Sequence, residues 1–153
     1  MEDEYYAPAT SDAANLDQIL EDGLFLGSQT AAINRDLLEL YNVKTVLTIA
    51  KHIAPPFPDR FTYYVYEVYD RGDEDLLSHF PQMCEEIASG LKKGGVLVHC
   101  ANGISRSPTV VAAYLMHTKK LRAVKALDYI SSRRHVNPNQ GFRDQLVAFE
   151  KLI

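Results

Sequence analysis

Two cysteines in 153 residues are too few for a disulfide framework. A chain that depends on a free thiol belongs in a reducing compartment, so the expected location is the cytoplasm, with the nucleus also open. No apolar run is long enough to span a bilayer, and no apolar segment near Met1 reads as a signal peptide. A large excess of one charge is missing too. Sixteen basic and 20 acidic residues leave a formal net charge of −4, which argues against a general binder of nucleic acid or membrane surfaces. There is no internal repeat and no low-complexity segment. What is present is ordinary for a globular protein: 46% hydrophobic and 24% charged residues, at a length that suits one domain with a real core.

Residues 1–14 are acidic and polar with one proline, and read as a flexible tail ahead of a single catalytic domain over residues 15–153. Tyr5 and Tyr6 in that tail are candidate modification sites, though an undirected tail is the better account of them. Gln18–Leu20 and Leu24–Leu26 flank Glu21-Asp22-Gly23 and read as a hairpin. A short helix follows around Thr30–Leu40, then a buried strand at Val43–Ile49. Pro55, Pro56 and Pro58 make His52–Arg60 a loop, and Tyr63–Tyr69 is strand-like. Leu76, Leu77, Phe80, Cys84, Ile87 and Leu91 recur at helical spacing and give one apolar face. Further helices are predicted near Pro108–His117, Arg122–Arg133 and Gly141–Leu152. This alternation indicates an α/β fold: a central mixed, mostly parallel sheet flanked by helices.

The densest chemistry lies in VLVHCANGISRSPT, Val96 to Thr109. An apolar strand delivers Cys100 into a loop of five residues, Ala101, Asn102, Gly103, Ile104 and Ser105, which closes on Arg106 just before a helix. Backbone N–H groups of a tight loop at a helix N-terminus form an anion cradle, and the positive field there favours a thiolate over a thiol. Gly103 permits φ > 0 and a close approach to the anion. Arg106 offers a planar fork that grips two phosphate oxygens. Pro108 fits a first helical turn, where a missing N–H costs nothing. A lone cysteine ending an apolar strand is usually a small buried hydrophobe. The loop, the arginine and the helix start together favour a thiolate held against a phosphate instead.

His-Cys, five residues, then Arg-Ser resembles the signature of the cysteine-dependent protein tyrosine phosphatase superfamily. HCANGISRSPT followed by Ala113-Tyr114-Leu115-Met116 is most similar to its dual-specificity branch. LFLGS at Leu24–Ser28 resembles that branch's early strand. Pro138-Asn139-Gln140-Gly141-Phe142, with Gln145-Leu146, resembles its C-terminal helix entry. The resemblance runs from Leu16 to Ile153. Two positions depart from the pattern: Asn102 stands where alanine is frequent, and His135 where a proline commonly follows the arginine.

The resemblance implies a two-step phosphatase with a cysteinyl-phosphate intermediate. Cys100 is the nucleophile, while Arg106 and the N–H groups of residues 101–106 bind the phosphoryl oxygens. It selects Asp70 as the proton donor to the leaving oxygen, with Asp73 and Glu74 as fallbacks, and Asp75 suits a helix cap better. Ser107 occupies the position whose hydroxyl helps the thiolate leave, and also suits a cap. His99 orients the loop and helps keep the thiolate, or is simply a satisfied core histidine. Some superfamily members protect the nucleophile with a second cysteine, but Cys84 sits in step with Phe80 and Ile87 and reads as core. The mechanism calls on no metal or cofactor.

The expected substrate is a phosphoprotein carrying phosphotyrosine or phosphoserine/phosphothreonine, a mitogen-activated protein kinase being one candidate. The length implies an atypical, stand-alone member with a shallow site. Arg71, Arg133, Arg134 and His135 are candidate contacts for an acidic phosphopeptide, with solvated helix ends as the other explanation. No nucleic-acid or membrane partner is expected. The alternatives are a phosphoprotein-binding pseudophosphatase scaffold, or a phosphatase for RNA 5′-triphosphate, glucan or phosphoinositide. An intact Cys100 and Arg106 weigh against the scaffold, and a loop without lysine against a phosphoinositide. A rhodanese-like sulfur transfer explains neither Asp70 nor Ser107.

Overall fold

The computed structural model describes residues 15–153, so the expected tail with Tyr5 and Tyr6 lies outside the described residues. Strands β1 (Leu16–Leu20) and β2 (Leu24–Gly27) form the predicted antiparallel hairpin, closed by Gly23 at φ 110°. Three more strands complete the sheet: β3 (Val43–Ile49), β4 (Thr62–Tyr66) and β5 (Gly95–His99). The order is β1-β2-β5-β3-β4, and every pairing beyond the hairpin is parallel. The sheet is thus mixed and mostly parallel, as expected. β5 lies at its centre and is buried along its whole length, as the apolar run GVLVH requires for a strand covered on both faces.

Alternation along β5 sorts the core into two layers. Val96 and Val98 face a large cluster with helices α3 (Phe80–Leu91), α4 (Arg106–Lys119), α5 (Ala123–Ser131) and α6 (Gln140–Leu152). Leu97 faces the opposite side, with Phe25, Leu38, Val46 and Phe61, under α1 (Gln29–Ala32) and α2 (Arg35–Leu40). Helix α4 is the central one: every residue from Ser107 to Met116 is buried. Among the described residues, no helix is long and apolar enough to cross a membrane.

Two predicted elements differ from the structure. The single helix around Thr30–Leu40 is broken at Ile33-Asn34, because the Asn34 side chain caps a second helix by accepting from the Leu37 N–H at 3.1 Å. The strand drawn to Tyr69 stops at Tyr66. Beyond it the Val68 carbonyl accepts from Arg106, and the Tyr69 N–H donates to Glu74, so these backbone groups are engaged outside the sheet. Asp70 therefore lies in a bend four residues past the strand rather than at its end.

Candidate active site

Cys100 follows the last residue of β5, where the sheet's carboxyl edge meets the N-terminus of α4. Its Sγ accepts from the Gly103 N–H at 3.3 Å and the Ser107 N–H at 3.5 Å, and lies 3.1 Å from the Ser107 hydroxyl. The Ser105 hydroxyl occupies the N-cap position of α4 yet does not cap it. It accepts instead from the Asn139 N–H at 2.9 Å, which leaves the first N–H groups of α4 turned toward the sulfur and its surroundings.

The loop's carbonyls explain its shape. The Ala101 carbonyl accepts from the Gln29 N–H at 3.0 Å, and the Ile104 carbonyl from the Asn137 N–H at 2.7 Å. The Asn102 and Gly103 carbonyls accept from the Arg134 guanidinium at 3.1 and 3.0 Å. In a planar trans peptide the N–H of the next residue points the opposite way. Tying four consecutive carbonyls outward therefore turns the N–H groups of Asn102, Gly103, Ile104 and Ser105 to the inner side. Gly103 has φ 70°, and a Cβ there would meet Arg134 Nη2 at 2.5 Å and the Gly27 carbonyl oxygen at 2.6 Å. Only glycine suits the position.

Arg106 extends the cradle. Its Nη1 donates to the Val68 carbonyl at 2.9 Å, which aims the guanidinium, while its buried Nε has no partner among the described residues. A buried donor on a planar fork, at the end of a ring of inward N–H groups, fits an oxyanion.

His99 does not touch the sulfur. It is 1% exposed, and its Nδ1 lies 3.1 Å from the Cys100 carbonyl, which can only accept; Nδ1 therefore carries the hydrogen. Nε2 accepts from the Thr48 hydroxyl at 2.8 Å, on the neighbouring strand and in register with it. Burial, helped by the Arg106 charge, pushes its pKa down to about 4, so the imidazole is neutral. Its position is that of a brace on the Cys100 backbone.

Asp70 is linked to the loop through Asn139. Its Oδ1 accepts from Asn139 Nδ2 at 2.8 Å, and Asn139 also donates its backbone N–H to Ser105 of the loop. The fallback acids are engaged elsewhere: Asp73 pairs with Arg71 at 3.2 Å, and Glu74 holds the Tyr69 N–H at 2.7 Å. Asp75 takes the capping role, accepting from both the N–H and the hydroxyl of Ser78. This loop is fastened to α6 by Gln145, whose Oε1 accepts from the Leu76 and Leu77 N–H groups and whose Nε2 donates to the Glu74 carbonyl, each at 2.8 Å.

The site brings together Cys100, residues 101–105, Arg106 and Ser107, with Asp70 joined to them through Asn139. The Cys100 sulfur lies among inward N–H groups with the Arg106 fork beside them, an arrangement that suits an oxyanion. A family model for the dual-specificity phosphatase catalytic domain matches residues 24–152. This chain belongs to the dual-specificity phosphatase family. It is 46% identical over 136 residues to dual specificity protein phosphatase 1B of Arabidopsis thaliana, covering 88% of this chain and 81% of that one. It is 40% identical to MAP kinase phosphatase with leucine-rich repeats protein 3 of Dictyostelium discoideum, over 84% of this chain but 15% of that longer protein. The crystal structure of human tyrosine phosphatase-like serine/threonine/tyrosine-interacting protein superposes with a TM-score of 0.86 at 34% identity, covering 90% of this chain and 96% of that one.

Within the phosphatase, the three arginines expected at the peptide surface make other contacts. Arg134 is buried behind the loop and pairs with Asp17 at 3.0 Å. Arg133 stacks on the Tyr129 ring at 4.1 Å, and Arg71 lies over Tyr69 at 5.1 Å. The sequence reading missed Arg134 as the loop's clamp, Thr48 as the partner of His99, and Asn139 as the link to Asp70. The one available signal was the match of Pro138–Phe142 to the family's helix entry, which marked the segment without assigning a contact. Cys84 is core, as expected: buried on α3, with its thiol pushed up to about 12 by burial.

Proposed function

We propose that the protein is a phosphoprotein phosphatase that hydrolyses phosphotyrosine and phosphoserine/phosphothreonine esters through a cysteinyl-phosphate intermediate. The observation that carries this reading is the Cys100 sulfur lying among inward N–H groups with the Arg106 fork beside it. In the first step the Cys100 thiolate attacks phosphorus, an S–P bond forms and the ester P–O bond breaks. Asp70 gives its proton to the departing oxygen. The N–H groups and Arg106 hold the three equatorial oxygens, where charge stabilisation does most of the catalysis. In the second step the Asp70 carboxylate takes a proton from water, whose oxygen attacks phosphorus as the S–P bond breaks. The Ser107 hydroxyl, 3.1 Å from Sγ, hydrogen-bonds the returning thiolate. His99 keeps the Cys100 carbonyl in place throughout.

A kinase phosphorylated on its activation segment, of the mitogen-activated class, suits this reading as a substrate, supported by the name of one relative. Dependence on a free thiol favours the cytoplasm or nucleus as the place of action. The test is hydrolysis of a simple aryl phosphate in the presence of EDTA, with Cys100→Ser alongside. Turnover that survives chelation and falls to background in the variant is expected. A folded, reduced wild-type protein without turnover overturns the mechanism.

A further inference from the structure

Asn139 stands at a junction that the mechanism above does not use. Its side-chain oxygen caps α6 by accepting from the Phe142 N–H at 2.9 Å. A backbone N–H can only donate, so that contact fixes which end of the amide is oxygen and which is nitrogen. The other end is therefore the NH₂ group, and it donates to Asp70 Oδ1 at 2.8 Å. Asn139 also sends its own backbone N–H to the Ser105 hydroxyl in the phosphate loop, at 2.9 Å. One residue thus spans the proton donor, the anion cradle and a helix start.

We propose that Asn139 is the positioning residue for the general acid: it holds Asp70 by one oxygen and so decides which oxygen carries the catalytic proton. An oxygen that accepts from an amide N–H is the poor choice for the acid's hydrogen, since two hydrogens would then face each other. In the protonated acid the hydrogen resides on Oδ2, which makes no hydrogen bond among the described residues and is free to meet the leaving group. The Asp70 backbone is steadied independently. Gly72 and Gly141 meet backbone to backbone, and Gln145 ties down residues 74–77. What Asn139 adds is the carboxyl's rotation and its distance from Ser105. Those two settings govern whether proton transfer is concerted with P–O cleavage.

The inference rests on Asp70 being the acid, and the experiment separates the two. Phenyl phosphate has a poor leaving group that needs a proton; a nitrophenyl phosphate has a good one that needs it far less. Removing the acid with Asp70→Asn should lower kcat on phenyl phosphate by about 100-fold or more, with a much smaller loss on the nitrophenyl ester. Asn139→Ser keeps an oxygen for the cap but has no amide N–H. It should lower kcat on phenyl phosphate roughly tenfold and change the nitrophenyl rate less than about twofold. Asn139→Asp, nearly isosteric and still a cap, sets a carboxylate against Asp70 and should change the ratio of rates at least as much. In an Asp70→Asn background neither variant should change it further. A normal ratio in both Asn139 variants, an equal loss on both esters, or an effect that persists without the acid overturns the role of Asn139. A normal ratio in Asp70→Asn overturns the acid assignment itself, and this proposal with it.

Discussion

A neutral histidine locked between a carbonyl and a hydroxyl makes this fold sensitive to acid. In the folded protein His99 titrates near 4, against an ordinary value of 6.5. Between those values the unfolded chain binds the proton and the folded one refuses it, so stability rises with pH. The His99 contribution is complete above about pH 6.5 and is lost as pH falls toward 4, on the order of 3 kcal/mol in all. Denaturant unfolding from pH 4 to 7 should show this slope in the wild type and a flatter one in His99→Gln. Equal slopes would place the acid sensitivity elsewhere. The two cysteines should part company just as clearly. Iodoacetate, an anion, should modify Cys100 once, with protection by inorganic phosphate, and leave Cys84 untouched, because burial holds that thiol near 12. Mass mapping that finds Cys84 labelled in native protein would contradict its place in the core.

The elements carrying chemistry are those whose ends are fastened by other elements. The acid loop is set against α6 so closely that a Cβ on Gly141 would fall on the Gly72 carbonyl and Cα. Gly141→Ala should therefore push the loop outward, lowering kcat on phenyl phosphate tenfold or more while the protein still folds. An alanine variant with normal kinetics would mean that the loop tolerates displacement. Legibility in the sequence divides along the same line. β3, the hairpin and the four long helices were visible because each is written locally, by apolar periodicity and turn residues. Cys100, Gly103 and Arg106 were visible because the loop's chemistry is confined to seven consecutive residues, 100–106. Arg134 read as a peptide contact or a solvated helix end because nothing local says that Asp17, 117 residues earlier in the chain, will face it. The end of β4 was misplaced for a similar reason: Tyr63–Tyr69 is rich in tyrosine and valine throughout, and the long-range bond from Arg106 to Val68 draws its last part away.

At the scale of the whole molecule, charge does little to gather substrate. The net charge is −4, and two basic side chains beside the site's loops already face carboxylates: Arg134 pairs with Asp17 behind the loop, and Arg71 with Asp73. Affinity for a phosphate must then come from the cradle at short range rather than from a steering field. For an acidic phosphopeptide, kcat/KM should rise as NaCl is raised from about 10 mM to about 150 mM, since screening removes repulsion. A severalfold fall would instead reveal an attractive basic surface.

The diversion of the Ser105 hydroxyl to Asn139 gives the central helix an unusual dependence. Most helices receive their capping oxygen from the chain that folds them. Helix α4 is built to receive part of it from the molecule being hydrolysed, so recognition of a phosphoryl group and completion of a secondary-structure element are one event. Product phosphate carries the same oxygens and completes the helix equally well. Release of product is then the undoing of a helix end.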